Sequence, residues 1–319
     1  MLDSRPAPQA PWTRGYLAAV GSAALLSTTA IFIRYLTETY QLPALVLAFW
    51  RDVFVVLTLI PILTRLRPAL LRVPRAALPG LLVYGAVLAA FNATWTLSVA
   101  QNGAAVATVL VYCSVAFTAL LGWLVFKEPL TWVKMVAILL SLVGCVLVSG
   151  LSSAASGSLQ ASGIAAGIGS GLCYATYSLL GRSSAQRGLN PWTTLLYTFG
   201  FAAGFLLPVN LLPGALLPGT GALLWLGPAL AGWGILFLLA ALPTVGGFGL
   251  YNVSLSILPS SVANLIVSLE PAMTAITAYL VLGERMTGQQ LLGSGVILAA
   301  VLLVRIYGRE ATSLKTNGA

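Results

Sequence analysis

Long apolar runs, each about as long as a bilayer core is thick, recur along the whole chain between Gly, Pro and Arg punctuation. A hydrocarbon core of ~30 Å takes about 20 helical residues to cross. The spacing predicts ten crossing helices, spans one to ten, over 14–36, 43–64, 76–101, 104–126, 130–150, 161–185, 191–211, 229–257, 260–282 and 287–307. Only 7% of the 319 residues are charged and 59% are hydrophobic, against about 25% charge in a soluble domain. Lipid must therefore solvate much of the surface. The expected fold class is all-α, a polytopic membrane protein with tails at 1–13 and 308–319. Asn102-Gly103 and Leu258-Pro259-Ser260 are tight turns, so spans three/four and eight/nine are expected as antiparallel hairpins.

The formal net charge of +9 raises nucleic acid as a partner, but the basic residues sit between apolar runs and build no polar surface for a duplex. They read instead as a topology signal. With the N-terminus in the cytoplasm, all sixteen Lys and Arg lie inside except Arg34 and Arg285, which are outside, and Arg51, which is within span two. Both termini are then cytoplasmic. The opening MLDSRPAPQAPWTRG has no short apolar region with a small-residue cleavage site, so span one is expected to be retained.

A fixed-period comparison exposes a repeat. A shift of 148 aligns Ser22 with Ser170, Thr28 with Thr176, Arg34 with Arg182 and Pro43 with Pro191; a shift of 156 aligns Glu128 with Glu284 and Thr131 with Thr287. The two shifts differ by eight residues, which fall in LLPGALLPGTGALLWLGP, where an insertion disturbs least. Each unit, 14–150 and 161–307, has five crossings. Because five is odd, the second unit is expected upside down relative to the first.

The joint KEPLTWVKMVAILLSLVGCVLV and its relative GERMTGQQLLGSGVILAAVLLV share a Glu, a Thr three residues later and a helix rich in small residues, as Glu128/Thr131 and Glu284/Thr287. With ten spans, a doubled unit and the Arg of AFWRDVF in span two, the chain resembles the EamA domain of the drug/metabolite transporter superfamily over roughly residues 15–307. Through LVYCSVAFTALLGWLVFKEPLT and NVSLSILPSSVANLIVSLEPAMTAITAYLVLGERMT it resembles more narrowly the YddG-type aromatic amino acid exporters. It departs in having Arg285 where the first unit has Pro129. The resemblance implies helices around a central cavity, spans five and ten as peripheral scaffold, and export of amino acids and related metabolites across a bacterial inner membrane.

Ionisable groups inside a bilayer cost about 2.5–3.5 kcal/mol each on insertion scales, so each needs a reason. Glu270 shares a helix face with Ile266, Met273, Thr274 and Thr277, and precedes Pro271. It is a candidate to bind a substrate ammonium or a proton, or else a carboxyl capped by packing; its repeat partner is Ser114. Arg51 and Asp52 lie ~12 Å along span two. They are expected to reach different neighbours, as a structural network or as a gate.

Trp95 aligns with Tyr251, each followed by a polar residue, Thr96 or Asn252, and Asn92 lies one turn before Trp95. Such groups on a cavity wall can hold apolar or aromatic side chains and a carboxylate or ammonium; helix packing is the alternative. Tyr84, Tyr112 and Tyr177 join the candidates, while Trp12 and Trp192 read as interface anchors. Pro243, followed by Gly246, Gly247 and Gly249, marks a hinge or a static kink in span eight, absent from the aligned VLAAFNATWT of span three. Gly163, Gly167 and Gly171 form a face for close helix packing. Glu128 and Glu284 are assigned to structure or gating.

There is no Walker A sequence, HExxH or GxSxG, and no histidine, so ATP-driven transport by this chain, an intramembrane hydrolase, a cofactor and a metal site are not expected. Cys113, Cys145 and Cys173 fall in apolar runs and read as packed thiols. The expected partners are a small-molecule substrate and the lipid bilayer, with no nucleic acid; a monomer is admissible. The function expected is a secondary exporter of aromatic or other apolar amino acids by alternating access. The alternatives are an exporter of small cationic or apolar drugs and, more remotely, a membrane scaffold that transports nothing.

Overall fold

In a computed structural model, residues 10–126, 132–149, 159–214, 220–257, 266–267 and 269–307 are described, and all regular structure among them is helical. The helices are α1 (Ala10–Thr39), α2 (Ala44–Leu66), α3 (Leu78–Asn102), α4 (Ala104–Val111), α5 (Ser114–Phe126), α6 (Trp132–Ser149), α7 (Ala161–Gln186), α8 (Pro191–Leu211), α9 (Leu230–Leu239), α10 (Gly247–Ile257), α11 (Glu270–Thr277) and α12 (Gly288–Tyr307). Among the described residues six stretches are long and apolar enough to cross a membrane: Thr13–Thr39, Ala44–Leu66, Arg75–Asn102, Ala161–Gly181, Pro191–Leu211 and Leu230–Tyr251. Shorter apolar helices accompany them. This is the architecture of a polytopic membrane protein, and large apolar side chains such as Trp132, Leu139, Leu230, Leu280 and Leu292 stand exposed on its outside, where lipid removes the penalty that water would impose.

Local chemistry sets the helix ends. Asn190 accepts a hydrogen bond from the Trp192 amide at 2.9 Å and Pro191 opens α8, so the cap satisfies one first-turn donor and the proline removes another. Pro79 stands in the first turn of α3, and Gly103 ends that helix with φ 85°, a conformation that an L side chain resists. Pro243 lies inside a π-helical turn, Ala240–Gly246, that joins α9 to α10. A proline has no N–H to give the carbonyl four residues back, here Leu239, and the Thr244 hydroxyl takes that carbonyl at 2.9 Å. The bend is thus satisfied internally. α3, the aligned element, is unbroken.

Packing is closest where glycine permits it. Gly163, Gly167 and Gly171 of α7 lie against Asn102, against Ser98 and Leu110, and against Cys113 respectively, so that face seats α7 on α3 and α4. α3 also packs on α8, α1 on α10 and α11, α2 on α8 and on the π turn, and α6 on α12 through Gly144 against Ile297. Asn102 exchanges two hydrogen bonds with the backbone of Gln160. At the other end of the bundle, Thr193 and Tyr197 donate to the carbonyls of Leu70 and Leu71. Trp192, read as an interface anchor, lies half-buried with its ring against Gly249. The side chains of Trp12 and Cys145 lie outside the described residues, as does the Leu258-Pro259-Ser260 turn.

Two spans are not the single helices expected. Span four breaks at Tyr112-Cys113, where amides bond to carbonyls three residues back before α5 starts at Ser114. Span nine, as far as it is described, turns at Leu269, restarts at Glu270 and ends in a π turn, Ala278–Leu282. Glu270 is therefore the first residue of a helix and does not lie mid-helix. Ser114 and Glu270, aligned by the repeat, both mark a restart.

Candidate functional site

Three groups of side chains meet in the interior and a fourth at one end of the bundle. The first joins α2 to α3. Asp52, fully buried, accepts a hydrogen bond from the Asn92 amide at 2.7 Å through Oδ1. Arg51, 2% exposed, lays its guanidinium 5.8 Å from the centre of the Trp95 ring, within the reach of a cation–π attraction. The two charged residues do reach different neighbours, yet they also face one another, with Arg51 Nε 3.8 Å from Asp52 Oδ1. A side chain as long as arginine can fold back along the helix and offset the 100° between successive residues. Asn92, a candidate for substrate, thus has its amide on Asp52. Trp95 is buried and stacked on Phe91, with ring centres 6.1 Å apart.

The second group continues from there. Phe91 meets Tyr174 at 5.6 Å, Tyr174 meets Tyr177 at 6.4 Å, and Tyr177 meets Tyr84 at 4.6 Å and Phe248 at 6.5 Å. Tyr251, half-buried, stands one turn after Phe248 on α10. These rings form a ladder between α3, α7 and α10, running from Trp95 towards the start of α3. One turn before Tyr84, Leu81 lines a cleft of about 200 Å³ shared with Leu180, Ser183 and Arg187. Phe91 and Tyr174 are not among the candidates read from the sequence; Asn92 directly after Phe91, and the register of both rings on the faces of Trp95 and Tyr177, are the signals that mark them.

The third group is Tyr112 and Glu270. At the break in span four the Tyr112 hydroxyl donates to Glu270 Oε2 at 3.1 Å and lies 3.4 Å from the Val267 carbonyl. Two helix restarts are thus tied to one another. Thr274, on the same face, turns its hydroxyl to the Ser27 carbonyl of α1 at 3.2 Å, and Gly247 lends its carbonyl to Ser22 at 2.8 Å. Ser114 is buried beside Gly171. Thr96 is fully buried, with its hydroxyl unpaired among the described residues. Gly246 packs against Leu25 and Gly247 against Leu26. The Asn252 side chain and all of Glu128 lie outside the described residues.

The fourth group closes one end of the bundle. Gly283, with φ 69°, turns the chain after the π turn and presents Glu284 to the start of α4. Its carboxylate accepts from the amides of Ala104 at 3.0 Å and Ala105 at 3.2 Å and stands 3.5 Å from Arg34 Nε. Arg34 also bonds to the Ala100 carbonyl at 2.6 Å and pairs with Glu38. A carboxylate on free amides at a helix start is stabilised by hydrogen bonds and by the helix dipole together. The sequence marks Arg34 as an outer charge aligned with Arg182; of its acidic partners Glu38 is four residues away and Glu284 is 250.

Gly103 is required here twice over, by its φ and because a Cβ would lie 2.9 Å from Glu284 Oε1. Gly103→Ala is expected to cost about 1–3 kcal/mol, seen as a lower melting temperature of the purified protein in detergent; melting like the parent would contradict the geometry.

Residues 13–150 and 161–306 each match the EamA-like transporter family. An uncharacterised transporter of Synechocystis sp. is 29% identical over 213 residues, covering 66% of this chain and 61% of that protein, less than two thirds of its length. An uncharacterised transporter of Archaeoglobus fulgidus is 28% identical over 289 residues, 91% of this chain and 95% of the relative. The threonine/homoserine exporter RhtA of Escherichia coli K12 is 29% identical over 239 residues, 74% of each chain. A crystal structure covering 94% of this chain and 99% of its own superposes with a TM-score of 0.61 at 15% identity, a likeness of fold alone. On a match that takes in most of its length, the chain belongs to the EamA-like transporter family, within the drug/metabolite transporter superfamily of multi-pass membrane proteins.

Proposed function

We propose that this protein is a secondary exporter of neutral amino acids, with aromatic or other apolar side chains among them. It works by alternating access between two oppositely oriented five-helix halves, 14–150 and 161–307, with both termini in the cytoplasm. The observation that carries this reading is the set of charged and hydrogen-bonding groups at the helix breaks and on α2, flanked by an aromatic wall inside a helical transporter. A zwitterion with an apolar side chain needs both kinds of surface. The likeness to a threonine/homoserine exporter supports the substrate class.

The packing favours the inverted halves. α3 lies on α7 and α8 as α10 and the π turn lie on α1 and α2, while α6 meets α12, the pairs that an exchange of halves would require. Two helix restarts at aligned positions, Ser114 and Glu270, support the same register. By the charge rule the Arg34–Glu284 end faces outward, so this conformation is shut on that side.

Counterflow in proteoliposomes with labelled threonine, homoserine, phenylalanine and tryptophan tests the reading. Accumulation of at least one above protein-free vesicles is expected; a folded protein with flat flux for all four would overturn it. An exporter of small cationic or apolar drugs is the second reading, favoured by the ladder of rings from Tyr84 to Trp95. Such a drug would then move while the amino acids neither move nor compete.

Glu270 fits proton coupling, since it is a carboxylate at a helix restart whose hydrogen-bond donor among the described residues, Tyr112, is neutral. Glu270→Gln is expected to keep exchange within several-fold and to lose accumulation driven by a pH gradient. An undiminished response to the gradient would exclude Glu270 as the coupling group.

A further inference from the structure

Asp52 and Arg51 stand about 12 Å along α2 from its start, near the middle of a ~30 Å core. A charge there is costly, and a buried pair recovers that cost only with good geometry and full hydrogen bonding. This pair has neither. Arg51 Nε stands 3.8 Å from Asp52 Oδ1, on the adjacent residue. Asp52 Oδ2, Arg51 Nε and Nη2, Trp95 Nε1 and the Thr96 hydroxyl are all buried without a hydrogen-bond partner among the described residues. Some nine in ten buried polar groups in proteins are paired, so five unpaired atoms on four residues, two of them on α2 and two on the stretch of α3 that Asp52 and Arg51 contact through Asn92 and Trp95, call for a ligand.

The unpaired set has a definite chemistry. Nε and Nη2 form one edge of the guanidinium, the fork that a carboxylate meets with two parallel hydrogen bonds. Trp95 Nε1 is a further donor. Asp52 Oδ2 is a full acceptor carrying negative charge, and the Thr96 hydroxyl can accept as well. Donors for an anion and acceptors for an ammonium stand side by side, while the Trp95 ring, stacked on Phe91, offers an apolar wall next to them.

We infer that Arg51, Asp52, Trp95 and Thr96 form the site for the charged head of the substrate, the α-carboxylate on the Arg51 fork and Trp95, the α-ammonium on Asp52 and Thr96. This rests on the amino-acid reading above and deepens it, because it places recognition on the part that all amino acids share. In the substrate-free conformation Arg51 and Asp52 serve as one another's counter-ions. An entering zwitterion exchanges their loose pairing for two close ones, and Asn92 keeps Asp52 oriented through its other oxygen. The side chain then lies along the ladder of rings and sets selectivity.

The full-length protein in proteoliposomes provides the test, with phenylalanine, phenethylamine and 3-phenylpropionate competing against the labelled amino acid that the protein carries. Phenylalanine is expected to compete at least about 30-fold better than either analogue, each of which leaves one buried charge unmet. The double variant Arg51→Met/Asp52→Leu removes both charges together, so it should fold and melt near the parent, short of it only by the unpaired Asn92 amide, yet lose transport at least about 30-fold. Arg51→Lys keeps the charge and removes the fork, and should raise KM about tenfold with unchanged melting. Analogues that compete as well as phenylalanine, or transport within twofold of the parent in the double variant, would overturn the inference. Should the double variant not fold, an unchanged KM in Arg51→Lys would overturn it alone. A parent that carries no amino acid would overturn the functional reading with it, which separates the two failures.

Discussion

Leucine at Asp52 is expected to destabilise the protein by about 3–5 kcal/mol, since it leaves the Arg51 guanidinium buried with no carboxylate beside it. The loss extends to Asn92, whose amide has its hydrogen bond at 2.7 Å on Asp52 Oδ1. Thermal unfolding in detergent reads the change directly. The Arg51→Met/Asp52→Leu pair should recover most of it, because the second substitution removes the stranded charge. A single Asp52→Leu variant that melts with the parent would mean that the pair contributes nothing to the fold and that Arg51 finds another counter-charge.

Alanine at Glu284 is expected to loosen the closed end by about 3 kcal/mol, the combined worth of two charge-assisted hydrogen bonds and a carboxylate at a helix start. Ala104 and Ala105 lose their acceptor, and Arg34 loses one of its two acidic partners. Since each 1.4 kcal/mol is a factor of about ten, hydrogen exchange at the start of α4 should quicken about 100-fold. Unchanged protection there would show that the carboxylate is not what closes this end.

What could be read from sequence followed local rules. Helix spans follow from apolar length, the α3–α4 turn from Gly103, and the bend in span eight from Pro243, where the residue alone named the carbonyl that would be freed. The break at Tyr112-Cys113 could not be read that way, having neither proline nor glycine; it shows only against the aligned restart at Glu270-Pro271. Glu284 stood out as a repeated motif residue, but its seat on the amides of Ala104 and Ala105 is set by the packing of elements 180 residues apart. Asn92 looked like a free amide for substrate because Asp52 lies 40 residues earlier. The aromatic candidates Trp95, Tyr84 and Tyr177 fall into one ladder, whose middle rungs, Phe91 beside Asn92 and Tyr174, become visible through the contact between α3 and α7.

The account depends on an interior that opens to one face at a time, and a single thiol reads this most directly. Ala275, half-buried and packed against the cluster that holds Trp95 and Tyr112, can carry it as Ala275→Cys after Cys113, Cys145 and Cys173 are replaced by alanine. A membrane-impermeant maleimide should reach it from the cytoplasmic face in the parent, and from the outer face once Glu284→Ala releases that end, with transported amino acid slowing both. Equal labelling from both faces of the parent would contradict the account.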